Sequence, residues 1–262
     1  MNRMNILDTI VDRKRAEVLQ SKKKQPLSKL ATFASYRRKT NVIKLPEAGE
    51  RPGIIAEFKR RSPSRGLIHP DAEVVEVAKA YEASGVAAMS ILTDQDFFGG
   101  SLKDLKRVRE SCPQLVLLRK DFIIDPYQLH EAIAHGADMV LLIGAILDHR
   151  EVEDLALEAA SLGLNVLFEI HHQRELEKYH PEIRYVGVNN RDLKTFQVDT
   201  GRSLELITSF PPGVIPVSES GLSQPEEISK LMSAGYQLFL MGENFMREKD
   251  PGVACERFIA KL

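Results

Sequence analysis

Apolar and polar positions along this chain follow two periods, and the switch between them recurs. From residue 54 onward a short apolar run leads into a turn rich in Gly, Ser, Asp or Asn, which leads into a stretch with apolar residues at helical spacing. The unit occurs eight times. Its apolar runs predict strands at 54–59, 87–92, 116–120, 139–143, 165–169, 185–189, 215–218 and 237–241. The stretches between them predict helices at 72–83, 102–110, 127–135, 150–162, 173–179, 202–209 and 225–234. Gly85, Gly136, Gly163 and Gly235 each stand just before a strand, where a left-handed helix cap is wanted. Eight alternating units in about 210 residues fit an α/β chain folded as a (β/α)8 TIM barrel better than an open doubly wound sheet.

Ahead of the repeats, Ile6, Ile10, Val11 and Val18, then Leu27, Leu30 and Phe33, keep a helix-compatible pattern broken at Gln25-Pro26. Two helices are expected there. Pro46, Gly49, Pro52 and Gly53 punctuate a linker into the first strand. The chain 1–262 therefore reads as one domain, with a helical extension at 1–45 and the barrel at 54–262.

Strand side chains alternate faces. Ile55, Glu57 and Lys59 share a face; so do Val116, Leu118 and Lys120, Leu167 and Glu169, and Gly187 and Asn189. Barrels of this kind carry their active sites at the C-terminal strand ends, and these five polar residues all close strands on the inward parity. Taken singly, Lys120 fits a rim ion pair with Asp121 or Asp125, and Glu169 fits a charge at a helix N-terminus. Shared parity favours convergence on one cavity. Low solvent access eases deprotonation of an ammonium and a neighbouring carboxylate opposes it, so such a cluster is suited to proton exchange.

Two further stretches differ in chemistry. Ser218 to Leu222 and Met241 to Asn244 offer small residues and backbone N–H groups where barrels hold phosphates. Glu243 is expected to present only backbone there, its carboxylate turned away. Phe97, Phe98 and Phe122 follow strands two and three, where they either pack the rim or sandwich an aromatic ring. The run KRRSPSR after the first strand reads as a solvated basic loop or a nucleic-acid backbone patch, with Arg60, Arg61 and Arg65 in solvent.

Composition narrows the choices. Thirty-six basic and thirty-seven acidic side chains leave a formal charge of -1, so no global field favours nucleic acid or an anionic membrane. The two cysteines, Cys112 and Cys255, have no metal-like or disulfide-like spacing. There is no G-x-G-x-x-G after a strand and no G-x-x-x-x-G-K-[ST], so neither a dinucleotide cofactor nor a P-loop is indicated. Without a signal-peptide pattern or a membrane-length apolar run, a soluble cytoplasmic protein is expected.

Seven motifs, IAEFKRRSPSRG, SILTDQDFFGGS, LLRKDFIIDPYQ, LFEIH, VGVNNRDL, SESGL and MGENFMR, fall in an order and spacing that resembles the indole-3-glycerol phosphate synthase family along the whole chain. The resemblance implies a cofactor-independent, metal-free lyase of tryptophan biosynthesis. It closes the ring of 1-(2-carboxyphenylamino)-1-deoxyribulose 5-phosphate with loss of carbon dioxide and water. It further implies Lys120 as general acid, Lys59 on the substrate carboxylate, Glu57 and Glu169 in proton removal and charge stabilisation, and Asn189 orienting hydroxyls. By the same resemblance Ser62, Gly221, Gly242 and the turn at Glu243 and Asn244 cradle the phosphate. Phe98, Phe122 and Leu193 wall the anthranilate ring, Arg191 and Ser220 complete the pocket, and residues 1–45 cover the barrel mouth. A small phosphorylated substrate is the expected partner, with no nucleic acid or membrane, and the chain a monomer or weak homodimer. The neighbouring isomerase of the pathway would need a cysteine and aspartate pair. Cys112 precedes Pro113 and closes no strand.

Overall fold

Nearly every strand residue is buried on both faces, as a parallel sheet with helices outside and a filled interior demands. The computed structural model describes residues 6–47, 49–192 and 195–262. The strands are β1 (Gly53–Phe58), β2 (Ala88–Leu92), β3 (Leu117–Lys120), β4 (Met139–Ile143), β5 (Asn165–Ile170), β6 (Tyr185–Asn189), β7 (Ile215–Glu219) and β8 (Leu238–Met241). Each pairs in parallel with its sequence neighbour, and β8 closes on β1 with Met241 opposite Ala56. This is the (β/α)8 barrel that the alternating pattern predicts.

Parity sorts the core into two layers. Ile55, Leu118, Leu141, Leu167, Val217 and Leu240 fill the barrel interior. Their neighbours Ile54, Ala56, Leu117, Val140, Phe168 and Phe239 pack outward beneath the helices. A one-residue slip in any strand would exchange the two sets.

The helices stop and start on local chemistry. Asp148 and Glu151 cap His149–Ser161 reciprocally, each carboxylate accepting the other's backbone N–H at 2.8 Å. The four glycines before strands all take positive φ, from +72° at Gly163 to +112° at Gly235. One expected α-helix is instead a 3-10 helix, Gln173–Lys178. Leu176 and Tyr179, three residues apart, suit a three-residue turn, and Glu175 is drawn inward to accept the His171 N–H at 2.7 Å.

The extension serves both ends of the barrel. Its first helix, α1 (Ile6–Lys24), lies over the C-terminal mouth, where Leu7 and Ile10 join the interior core beside Phe122. Residues 38–43 run to the opposite end instead of covering the mouth. There Asp138 Oδ1 accepts from Arg38 (2.6 Å) and Asn41 N–H (2.7 Å), while its other oxygen accepts from Arg109 and from Leu117 N–H (2.8 Å). Ile43 then plugs the interior core from below. Among the described residues no helix is long and apolar enough to cross a membrane.

Candidate active site

The last polar side chains of β1, β3, β5, β6 and β7, namely Glu57, Lys120, Glu169, Asn189 and Glu219, all fall on the inward parity and meet at the mouth. Lys120 Nζ lies 2.9 Å from Glu219 Oε2, 3.5 Å from Glu57 Oε2 and 3.9 Å from Glu169 Oε2. Lys59, one residue past β1, donates to Glu57 Oε1 at 2.5 Å. Asn189 Oδ1 accepts the Arg191 N–H at 3.0 Å, which fixes the amide at the end of β6.

Burial and neighbouring charges pull these groups apart. Burial opposes the charge of Lys120, yet Glu219, Glu57 and Glu169 outweigh it and hold the ammonium above its ordinary range. The same burial opposes Glu57, but Lys59 and Lys120 overcome it and push its carboxyl down to about 2. For Glu169, burial prevails over Lys120 and the pKa rises. For Glu219, burial, with Glu169 and Glu57 adding to it, prevails over Lys120 and pushes the carboxyl up to about 7. The cluster thus holds a protonated lysine, a firmly ionised carboxylate and a carboxyl able to exchange a proton near neutrality.

Glu219 is a functional candidate that sequence reasoning did not single out. The seventh strand was expected to end at Ser218, which left Glu219 in a phosphate turn; the strand continues one residue further. The parity of Ile215, Val217 and Glu219 was the available signal. Gly187 makes room for it, since a Cβ there would stand 2.3 Å from Glu219 Oε1 and 3.1 Å from Leu167. We predict that Gly187→Ala displaces Glu219 from Lys120 and costs about 1–3 kcal/mol of stability together with a fall in kcat. Thermal unfolding and turnover at wild-type level would refute that steric account.

The phosphate-like end lies across the mouth. Ser62 and Ser64 hydroxyls approach to 3.3 Å in a small ribbon, Arg61–Ser62 against Gly66–Leu67. Ser220 and Gly221 both take positive φ, and buried Asn190 holds this turn by donating to Ser218 Oγ and Ser220 O. The Glu243 carboxylate is not turned away. It is bound by Arg65 (3.0 Å), Arg191 (3.2 Å) and Arg247 (2.7 Å), and three guanidiniums around one carboxylate leave the rim locally positive. Nor are all three loop arginines solvated: Arg60 pairs with Asp104 at 2.5 Å and covers the Phe58 ring.

Phe98 and Phe122 approach with ring centroids 6.0 Å apart, tilted by 40°. At carbon contact distances of about 3.5–4 Å on each side, a third ring between them would need roughly 7 Å. They form one wall rather than two jaws, which corrects the sandwich reading. Glu57, Lys59, Ser62, Phe98, Lys120, Phe122, Glu169, Asn189, Arg191, Ser220, Gly221, Gly242, Glu243 and Asn244 all line one pocket. Leu193 lies outside the described residues.

Comparison with known proteins gives this pocket its context. A family model described as indole-3-glycerol phosphate synthase matches residues 7–258. Proteins of that name from Verminephrobacter eiseniae and Bacteroides thetaiotaomicron are 42% and 43% identical, each over 98% of this chain and 99% of the relative. The chain belongs to the indole-3-glycerol phosphate synthase family. Its enzyme class is therefore that of a carboxy-lyase in tryptophan biosynthesis.

A solved 3-hexulose-6-phosphate synthase superposes with a TM-score of 0.61 over 81% of this chain and 100% of that one; at 14% identity the likeness is one of fold. His171 stands beside the same cluster. Here its ring is buried, Nε2 lies 3.7 Å from Glu169, and burial lowers its pKa against the pull of Glu175 and Glu219. Among the described residues no group of three or more His, Cys, Asp or Glu is arranged to hold a metal ion.

Proposed function

We propose that this pocket converts 1-(2-carboxyphenylamino)-1-deoxyribulose 5-phosphate into indole-3-glycerol phosphate, carbon dioxide and water without a cofactor, and that its residues divide the work by position. Backbone groups of Gly221, Gly242, Glu243 and Asn244, with Ser62 and Ser220, receive the phosphate, and Arg65 and Arg191 supply counter-charge. The anthranilate ring lies on Phe98 and Phe122, and Lys59 holds its carboxylate.

Lys120 donates a proton to the ribulose carbonyl oxygen as the carboxylate-bearing ring carbon attacks the carbonyl carbon. One C–C bond forms and a hydroxyl results. Loss of carbon dioxide from that ring carbon returns the bonding electrons to the ring. Glu57, held ionised, stabilises the cationic intermediates; the hydroxyl then leaves as water on a proton from Lys59, and Glu169 takes a proton from the neighbouring carbon as the ring double bond forms, while Asn189 orients the hydroxyls. Glu219 holds the Lys120 ammonium in place. The observation that carries this reading is a charged lysine set among three buried carboxylates at the strand ends.

The same proposal places the chain in the cytoplasm as a monomer or weak homodimer, with no nucleic-acid or membrane partner; two free, buried thiols suit a reducing compartment. The test is direct. The chain contains no tryptophan, so indole fluorescence appearing when purified protein meets the substrate reports product against a low background. Signal is expected without added metal or nucleotide, and its absence would sink the reading.

A further inference from the structure

Lys14 belongs to an exposed stretch of α1, between Arg13 and Arg15, yet its side chain is only 1% exposed. Its ammonium reaches Asp94 Oδ2 at 2.9 Å, Asp121 Oδ1 at 2.9 Å and Glu17 Oε2 at 2.8 Å. Burial opposes that charge, and Asp121, Asp94 and Glu17 more than offset it. A buried ammonium with three carboxylate partners is far more than a helix surface requires.

The two aspartates are tied to the aromatic wall. Asp94 Oδ1 accepts the N–H groups of Phe97 (2.8 Å) and Phe98 (3.3 Å). Asp121 Oδ1 accepts the Phe122 N–H at 2.8 Å, and its other oxygen is held by Thr93 (2.6 Å) and Arg119 (3.0 Å). An unbroken chain of polar contacts thus runs from Phe98 through Asp94, Lys14 and Asp121 to Phe122. Ile6, Leu7 and Ile10, earlier on the same helix, line the pocket above. The Arg13–Asp96 and Lys22–Asp125 pairs bridge the same elements but are exposed to solvent, where screening leaves them weak.

We propose that Lys14 is a positioning residue for the aromatic end of the substrate, locking α1 and the loops bearing Phe98 and Phe122 into one register so that the apolar wall stands formed before substrate arrives. Lys14 touches no reacting atom and acts through Asp94 and Asp121. The inference rests on the assignment of the Phe98–Phe122 face to the anthranilate ring.

The test compares wild type, Lys14→Met and the charge-balanced pair Lys14→Met with Asp94→Asn, in which the asparagine carbonyl still accepts the Phe97 and Phe98 N–H groups. Tm, kcat, KM for the substrate and inhibition by anthranilate and by inorganic phosphate are measured on each. Wild-type turnover checks the assigned reaction separately, so an inactive wild type faults that assignment and an active one leaves only the latch in question. In both variants KM is expected to rise and anthranilate inhibition to weaken by roughly 3- to 10-fold, the cost of a misaligned aromatic contact, while phosphate inhibition stays within about twofold. The double variant recovers Tm relative to the single one. A lower Tm with unchanged KM and anthranilate inhibition overturns the proposal, as does equal weakening of both inhibitors. Should Lys14→Met not fold, the double variant carries the same comparison; failure of both to fold makes Lys14 a folding element and overturns the proposal too.

Discussion

Lys120→Arg is expected to lower kcat by roughly 10²–10⁴ while changing KM by less than about tenfold. Arginine keeps the positive charge among Glu219, Glu57 and Glu169, so the three buried carboxylates stay compensated. Its guanidinium cannot release a proton in the working range, so only the donation step is removed. Lys120→Ala makes the complementary change. It loses the proton and the compensation together, so its kcat falls at least as far and its Tm drops, because unpaired buried carboxylates are costly. The measurement is steady-state turnover of both variants with thermal unfolding alongside. A Lys120→Arg protein near wild-type rate would remove Lys120 from the role of general acid.

Glu219→Gln is predicted to trade activity for stability in a pH-dependent way. The folded state raises this carboxyl from an ordinary 4.5 to about 7. Between those values the native chain binds a proton that the unfolded chain does not, so stability falls as pH rises through that window and is flat outside it. The span corresponds to about 3 kcal/mol lost by pH 8. Glutamine has no proton to lose. The variant should match wild type near pH 4.5 and exceed its Tm at pH 8 by roughly 5–10 °C, while kcat falls because Lys120 has lost its nearest partner. A Tm difference that does not change with pH would count against this origin of the shift.

Much of the barrel and of the site was legible because both rest on parity. The apolar alternation that puts Ile55 and Leu167 in the interior also puts Glu57 and Glu169 at the mouth, so fold and site are read from one pattern. Glu219 escaped because that argument depends on where a strand ends, and the polar run Ser218-Glu219-Ser220 gives no apolar residue to mark the boundary. Lys14 escaped for another reason. In sequence it is one charge among many on an amphipathic helix, and its partners Asp94 and Asp121 come from distant loops that only the closed barrel brings together. Arg60 is similar: its pairing with Asp104 depends on how the chain leaves β1 and meets the next helix but one. Periodicity reports which face a residue occupies, whereas ion pairing depends on which remote loop lies opposite.

The anchoring of residues 38–43 beneath the barrel bears on folding order. Asp138, at the threshold of β4, accepts from Arg38 on one oxygen and from Arg109 on the other. The extension comes first in the chain, yet its acceptor forms only when β3 and β4 have paired. Its docking is a contact of long sequence separation, and such contacts follow local structure because loop closure must be met first. The segment is therefore expected to dock after β3 and β4 pair, which pulse-labelled hydrogen exchange at the Asn41 N–H would show as protection later than that of β4.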